Sequence, residues 1–387
     1  MTETPALLVG HEKSLQVTGG GVQICTREYL AELQEAGFQL HQIAYESESG
    51  LAARVFNRLS PKRSPTREPR GLYRNIESEL NKKNATFIFF ALNLYSELSQ
   101  KLKVAFPHVK QILLSHGVET LDFVIEEKLR WKSGNKRRGA LTERMIGRQL
   151  LEEVEQRRWI DAVLTLSPFE AELEKWLGTA KIHWVPRTII ECTLEFNSVD
   201  GRVGCVSTLD HPPNFWGLVQ LFDALDEAAP DSFRFRLVGQ PRDAGRQLAK
   251  RYSFVEYLGP LSDQQLRQEA GTWCCFAHPL FEYAKGCSTK LGVCLGWGLP
   301  VATTEFGVRG YRWDVQAVPL AKTPVELASL VLARCTAAHF ATHRQAMTAI
   351  WKNTPSASSI GSDIRDFLLA ERNEEGSMKW QFAARSR

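Results

Sequence analysis

Two successive series of short apolar runs, each run followed by an amphipathic stretch, constrain this 387-residue chain more than any other feature. That alternation is the rhythm of a βα fold. In the first half it predicts strands near residues 6–10, 39–44, 86–91, 111–115 and 162–166. The glycine turn Gly19-Gly20-Gly21 follows the first strand. A helix then runs over about 22–36, with Ile24, Tyr29, Leu30 and Leu33 on its buried face and Gly37 closing it. A long polar helix over about 141–159 separates the last two strands. The second series opens with a strand at 203–207 and a helix over about 215–228. Strands follow near 233–238, 255–258, 272–277 and 301–303, with helical segments between them. The stretch 184–199, beginning Trp184-Val185-Pro186, reads as a hinge. The expectation is two α/β domains facing across a cleft, where strand C-termini place ligands.

Composition excludes several classes. With 43% hydrophobic and 24% charged residues the chain can build substantial cores, and it is neither disordered nor a small disulfide scaffold. The longest apolar run, Ala85 to Tyr95, is interrupted by Thr86 and Asn93 and is far short of a membrane span. No signal peptide is visible at Met1-Thr2-Glu3-Thr4-Pro5. The eight cysteines include the vicinal pair Cys274-Cys275 but no Cys-x-x-Cys spacing, so they read as small core residues in a reducing compartment. A cytoplasmic location follows, with peripheral attachment at the inner membrane face as its variant.

The net charge of +4 is an average over an uneven chain. Residues 51–76 carry seven basic side chains against Glu68, and 128–148 carry eight against Glu143. Solvated loop and helix faces would explain these runs. A basic surface attracting an anionic acceptor, a membrane or nucleic acid would explain them equally. Residues 60–71, with three prolines, read as a surface loop.

Three stretches could carry chemistry. Gly19-Gly20-Gly21 lies between a strand and a helix, where bare N–H groups can face an anion, although a plain turn has the same composition. His116, in Ser115-His116-Gly117-Val118-Glu119 at a strand's end, can donate to a sugar hydroxyl or steady a leaving group, or can be satisfied locally. Finally, Gly286 and the hydroxyls of Ser288 and Thr289 precede a helix over about 289–297. That order can present N–H groups and the Lys290 ammonium to a diphosphate.

The order of these pieces resembles the retaining GT-B glycosyltransferases of family 4 (group 1) type over nearly the whole chain. The glycine turn resembles that family's acceptor-and-phosphate loop, and His116 to Glu119 its His-x-x-Glu region. Residues 160–167 resemble its Ala-Asp-x-Val-x-x-x-Ser strand, and Val185-Pro186 its Val-Pro-Asn turn. Pro213-Asn214 resembles the start of the second domain in members with a Pro-Asn motif. Leu237-Val238-Gly239 and Tyr257-Leu258-Gly259-Pro260-Leu261 match the next strand ends. Thr289-Lys290-Leu291 with Gly298-Leu299-Pro300-Val301 match its Thr-Lys-Leu and Gly-Leu-Pro-Val.

The resemblance implies a GT-B fold of two Rossmann-like doubly wound domains. It divides the chain into an acceptor-side domain at 1–185, a hinge at 186–200, a donor domain at 201–360, and a return helix and tail at 361–387. It implies transfer of a sugar from a nucleoside-diphosphate sugar to an acceptor hydroxyl with retention of configuration and no obligatory cofactor or metal. Lys290 and His116 would be catalytic. Gly20, Gly21, Asn214, Gly239, Leu261, Glu282, Gly286, Ser288 and Thr289 would hold the donor. Glu119, Arg137 and Arg138 would lie on the acceptor side. An anionic lipid-linked or polysaccharide glycan is the favoured acceptor, with peripheral membrane contact, and modified DNA ranks behind it. The family's two donor-loop glutamates fall on Lys285 and Val293, Glu282 being a substitute only after a loop shift. The usual Gly-Arg is Ser207-Thr208, and the Asn after Val-Pro is Arg187. A catalytically silent GT-B protein that binds a partner is therefore the rival reading.

Overall fold

Near-continuous apolar strands such as Phe87–Ala91 have no polar face to offer water, and they suit a parallel sheet covered on both sides. The computed structural model describes residues 3–16, 20–46, 68–92, 95–132, 140–192 and 194–370, and it contains two such sheets. The first comprises β1 (Thr4–His11), β2 (Phe38–Tyr45), β3 (Phe87–Ala91), β4 (Lys110–Leu114), β5 (Ala162–Thr165) and β6 (Ile182–Trp184) in the order β2-β1-β3-β4-β5-β6. The second comprises β7 (Arg202–Thr208), β8 (Arg234–Gln240), β9 (Val255–Gly259), β10 (Cys275–His278) and β11 (Val301–Thr303) in the order β11-β10-β7-β8-β9. Every pairing between these strands is parallel.

The period of two along each strand divides the core of the first sheet. Ala6 and Leu8 of β1, with Phe87 and Phe89 of β3, face the helix Gly21–Glu35 through Cys25, Tyr29 and Leu33. Leu7, Val9, Ile88 and Phe90 face the other way, onto Ile76 and Leu80 of the helix Leu72–Lys83 and Leu98 and Leu102 of Ser96–Ala105. In the second sheet Gly204 leaves room for the fully buried Trp273, since a Cβ there would stand 2.0 Å from the indole. That indole also explains why β10 starts three residues later than the sequence suggests. Thr272 and Trp273 turn back to bond the end of the helix Asp263–Ala270 before the chain enters the sheet. β6 escapes the hydrophobic pattern because it is a three-residue edge strand, half-buried throughout.

The connection between the sheets clings to the second of them, with Cys192 N–H donating to Gly296 and Asn197 N–H to Gly271. The last helix, Ala357–Leu369, returns to the first sheet. Its Ile360, Ile364 and Leu368, spaced at i, i+4 and i+8, complete the core against Tyr29 and Leu33. Arg365 donates to the Ala36 carbonyl at 3.0 Å, Lys110 to the Leu368 carbonyl at 3.0 Å, and Phe367 stacks on His183. Gly361 permits the approach, because a Cβ there would lie 2.7 Å from Glu35 Cβ and 2.8 Å from the Ala36 nitrogen. The basic stretch expected as a loop at 60–71 lies outside the described residues up to 67. Gly361→Val is expected to lower stability by about 1–3 kcal/mol through overpacking against backbone, measured by equilibrium urea unfolding.

Candidate active site

The C-terminal ends of β1, β4 and β10 lead into three segments that meet between the sheets. From the first half come the turn at Gly20-Gly21 and the segment His116-Gly117. From the second comes the loop 281–288, which leads into the helix Thr289–Gly296. A Cβ on Gly21 would stand 3.4 Å from the Thr289 hydroxyl, so the starts of the helices Gly21–Glu35 and Thr289–Gly296 face one another. Neither helix carries an acidic side chain in its first turn, and Gly20 offers no side-chain cap. Two positive helix ends therefore converge on one gap.

Lys290 stands in the first turn of the second of these helices, with Cys205, Cys294 and His278 near its ammonium. It is partly buried, and among the described residues no hydrogen bond or ion pair reaches its ammonium. Burial pushes its pKa down to about 8, against a smaller opposing effect of the Cys205 and Cys294 sulfurs. Ser288, by contrast, is fully engaged. Its Oγ caps the helix by accepting from Leu291 N–H at 3.3 Å, and its carbonyl accepts from Tyr311 OH at 2.6 Å. The Thr303 hydroxyl donates to the His278 carbonyl, which leaves its oxygen to accept from His278 Nδ1 at 3.2 Å. His278 Nε2 is then free to accept from the Ser288 hydroxyl at 3.0 Å. Burial, with Lys290 and Arg309 nearby, pushes the His278 pKa down to about 3, so this tautomer persists. Ser288 thus positions the loop.

His116 is buried at the end of β4 against Tyr29, whose hydroxyl donates to the carbonyls of Ser115 and Leu164. The ring's Nε2 lies 3.4 Å from the Thr26 hydroxyl, which itself donates to the Val22 carbonyl. Burial, then Lys285 and Arg187, push the His116 pKa down to about 3, so the imidazole is neutral.

The loop 281–288 is pinned to the first half by a row of polar contacts. Glu170, fully buried in the helix Pro168–Trp176, accepts from Gly286 N–H at 2.8 Å and Tyr283 OH at 3.1 Å. Lys285 pairs with Glu119, and its backbone N–H donates to Asp122 at 3.3 Å. Glu282 accepts from Lys128 at 2.6 Å and Lys132 at 2.7 Å. Arg309 holds the loop from its own side through the Gly286 carbonyl at 2.6 Å and the Ala284 carbonyl. Gly117, at φ 112°, makes the contact possible, because a Cβ would stand 2.5 Å from Lys285 and 2.6 Å from Glu170.

These contacts explain the departures in the donor loop. Lys285 is one member of an ion pair between the halves. Glu282 is committed to two lysines, which, despite the desolvation that opposes charge, hold its carboxyl below the usual range. Val293 presents a 42% exposed aliphatic surface. Glu119 begins the helix Glu119–Lys132, but its backbone N–H and that of Thr120 are capped by the Glu153 carboxylate, so this helix end is closed to other anions. Asn214 donates to the Thr208 carbonyl at 3.1 Å, and Gly239 lies flat on the Ser207 carbonyl, where a Cβ would come within 1.8 Å. Leu261 lines a cavity of about 350 Å³ with Leu258, Gln265, Gln268 and Glu269. Arg137 and Arg138 lie outside the described residues, and so does Gly19. Among the described residues no group of three His, Cys, Asp or Glu side chains could hold a metal ion.

Sequence reasoning missed Glu170, His278 and the surroundings of Arg187. The spacing Ser167-x-x-Glu170 signals only a helix start, and Ser167 does cap Glu170 N–H at 3.2 Å. Arg187 is buried, ion-paired to Glu28 at 2.5 Å, and lies over the Tyr311 ring.

The sequence matches no protein-family profile and no curated protein. The fold does match solved structures. HepE of Anabaena, solved in complex with UDP and glucose, superposes with a TM-score of 0.59 at 14% identity over 95% of this chain and 99% of that one. A glycosyltransferase of Rickettsia africae gives 0.57 at 13% identity over 96% and 100%. The O-GlcNAc transferase of Thermobaculum terrenum gives 0.56 at 15% identity over 95% of this chain and 66% of that one. The chain therefore has the GT-B fold, two Rossmann-like halves with a cleft between them. Glu170→Ala is expected to cost about 3 kcal/mol, since it leaves two donors unmatched across the cleft, while Glu170→Gln keeps an acceptor and costs less than about 1. Because burial raises the Glu170 pKa, the unfolded chain releases its proton first, and wild-type stability falls as pH rises from the ordinary carboxylate range. Urea titrations over pH should show that slope in wild type and lack it in Glu170→Gln.

Proposed function

We propose that this chain is a glycosyltransferase that moves a sugar from a nucleoside-diphosphate donor to an acceptor hydroxyl with retention of configuration. One observation carries the reading: a partly buried Lys290 ammonium, unpaired among the described residues, in the first turn of one helix whose Thr289 faces a second helix N-terminus at Gly20-Gly21. A diphosphate in that gap meets positive charge from three directions without reorganisation of the protein. As the bond to the sugar breaks, negative charge grows on the leaving oxygen, and Lys290 and the N–H groups of 289 and 290 are set to stabilise it. The neutral His116 offers a hydrogen bond to the transferred sugar. The solved complex of HepE with UDP and glucose supports this class of donor.

For the acceptor we favour an anionic lipid-linked or polysaccharide glycan, handled on the cytoplasmic side. Exposed Phe123, Val124 and Trp131 on the helix Glu119–Lys132, and Met145 and Leu151 on Ala140–Arg157, with Arg144 and Arg148 flanking Met145, support peripheral membrane contact. The rival, a silent binding protein, draws on Val293 and on the commitment of Lys285 and Glu282 to ion pairs. Thermal stabilisation by UDP, GDP, ADP or TDP decides between them, and no shift with any of the four would favour the silent protein.

Lys290→Ala is expected to lower turnover about 100-fold, a loss of about 3 kcal/mol. Unchanged turnover would remove Lys290 from the site. Since the Lys290 pKa stands at about 8, the nucleotide dissociation constant should rise about fivefold between pH 8 and 9 as the ammonium is lost. The same depression makes the unfolded chain the stronger proton binder between the two pKa values, so free-protein stability should rise with pH from about 8 toward 10.5. Calorimetric titration of wild type against Lys290→Met measures the first effect, and the variant's profile should be flat.

A further inference from the structure

Two cysteines that the sequence keeps far apart share one guanidinium between the halves of the molecule. Cys25 sits in the helix Gly21–Glu35, one turn beyond the Gly20-Gly21 turn, and Cys287 sits in the loop directly before Ser288. Arg187 Nη1 donates to Cys25 Sγ at 2.9 Å and to Cys287 Sγ at 3.3 Å. Cys25 is buried, whereas Cys287 is only partly covered. Burial opposes charge on Cys287, yet the Cys25 S–H and the Arg187 guanidinium more than offset it and hold this thiol below the usual value. The same burial and proximity raise Cys25 well above it. One thiol is thus prepared as a nucleophile and the other as its resolving partner.

We propose that Cys25 and Cys287 are a redox modification site, at which a peroxide joins the two halves of the molecule by a reversible disulfide. The Cys287 thiolate attacks a peroxide oxygen, forming an S–O bond as the O–O bond breaks and water departs after protonation. The Cys25 sulfur then attacks the sulfenic sulfur, forming the S–S bond as the S–O bond breaks and a second water leaves. Two thiols and one hydrogen peroxide become one disulfide and two waters, and a dithiol reverses the change. The bond would fasten the helix after Gly20-Gly21 to the loop before Lys290. If that gap is the donor site, as proposed above, oxidation would trap or exclude nucleotide without altering a residue that touches it.

The test treats the full chain with hydrogen peroxide, blocks remaining thiols with N-ethylmaleimide, and maps peptides by mass spectrometry. A Cys25–Cys287 linked peptide should accumulate in the folded protein and vanish on treatment with dithiothreitol. It should be missing from Cys25→Ser and from Cys287→Ser, with the exposed Cys192 outside any linked peptide in all three proteins. Cys25 remaining fully alkylatable while Cys287 advances to sulfinate would overturn the proposal, and that result needs no variant. Release of bound UDP, followed in parallel, should slow by about tenfold or more on oxidation. A linked peptide in a protein that does not bind UDP would leave the redox site standing and count against the donor reading alone.

Discussion

The carboxylate of Glu170 is buried in one half of the molecule and finds its partners in the other. A buried carboxylate without donors is among the most costly groups a protein can hold. This one is relieved by Gly286 N–H and Tyr283 OH only while the loop 281–288 lies against the first sheet. The cleft geometry follows from that requirement. The missing side chain of Gly117 admits the loop, Arg309 stiffens it from behind, and the Lys285–Glu119 and Glu282–Lys128/Lys132 pairs fix its ends. Once the loop is placed, Ser288 and His278 set the start of the next helix, whose first turn carries Lys290.

This arrangement redistributes the positive charge that the sequence concentrates in its first half. Lys128 and Lys132, which in the sequence look available to an anionic ligand, spend their charge on Glu282. Arg187 is enclosed with Glu28 and two sulfurs. Among the described cations facing the loop, Lys290 stands out because no described residue pairs with it. An ammonium whose pKa has fallen to about 8 is held at a cost, and an anion in the gap would remove that cost.

The fold was legible because parallel strands buried on both faces leave a strong signal: Ala6 to Val9 and Phe87 to Ala91 are apolar at nearly every position. The glycine turn and the Thr289-Lys290-Leu291 segment were legible for a related reason, since their spacing relative to strands and helices is local. What escaped was non-local. Nothing near Glu170 in the sequence says that its partner is a backbone amide 116 residues away. Cys25, Arg187 and Cys287 likewise carry no mutual spacing, because three separate elements bring them together. Even the meaning of Lys285 was hidden, since a basic residue in place of an acid reads as a loss until its partner Glu119 is seen.

The return of the last helix to the first sheet has a consequence for how the chain is made. Tyr29, Leu33 and Phe89 share a core with Ile360, Ile364 and Leu368 of that helix. During synthesis at about 5–20 residues per second, the first sheet would be complete on the ribosome for on the order of ten seconds or more before its covering helix existed. The second sheet owes nothing to that helix and can fold as it emerges. The half made first is therefore the half that finishes last, and for that interval an apolar trough on the nascent chain is open to whatever chaperone, or neighbouring chain, meets it first.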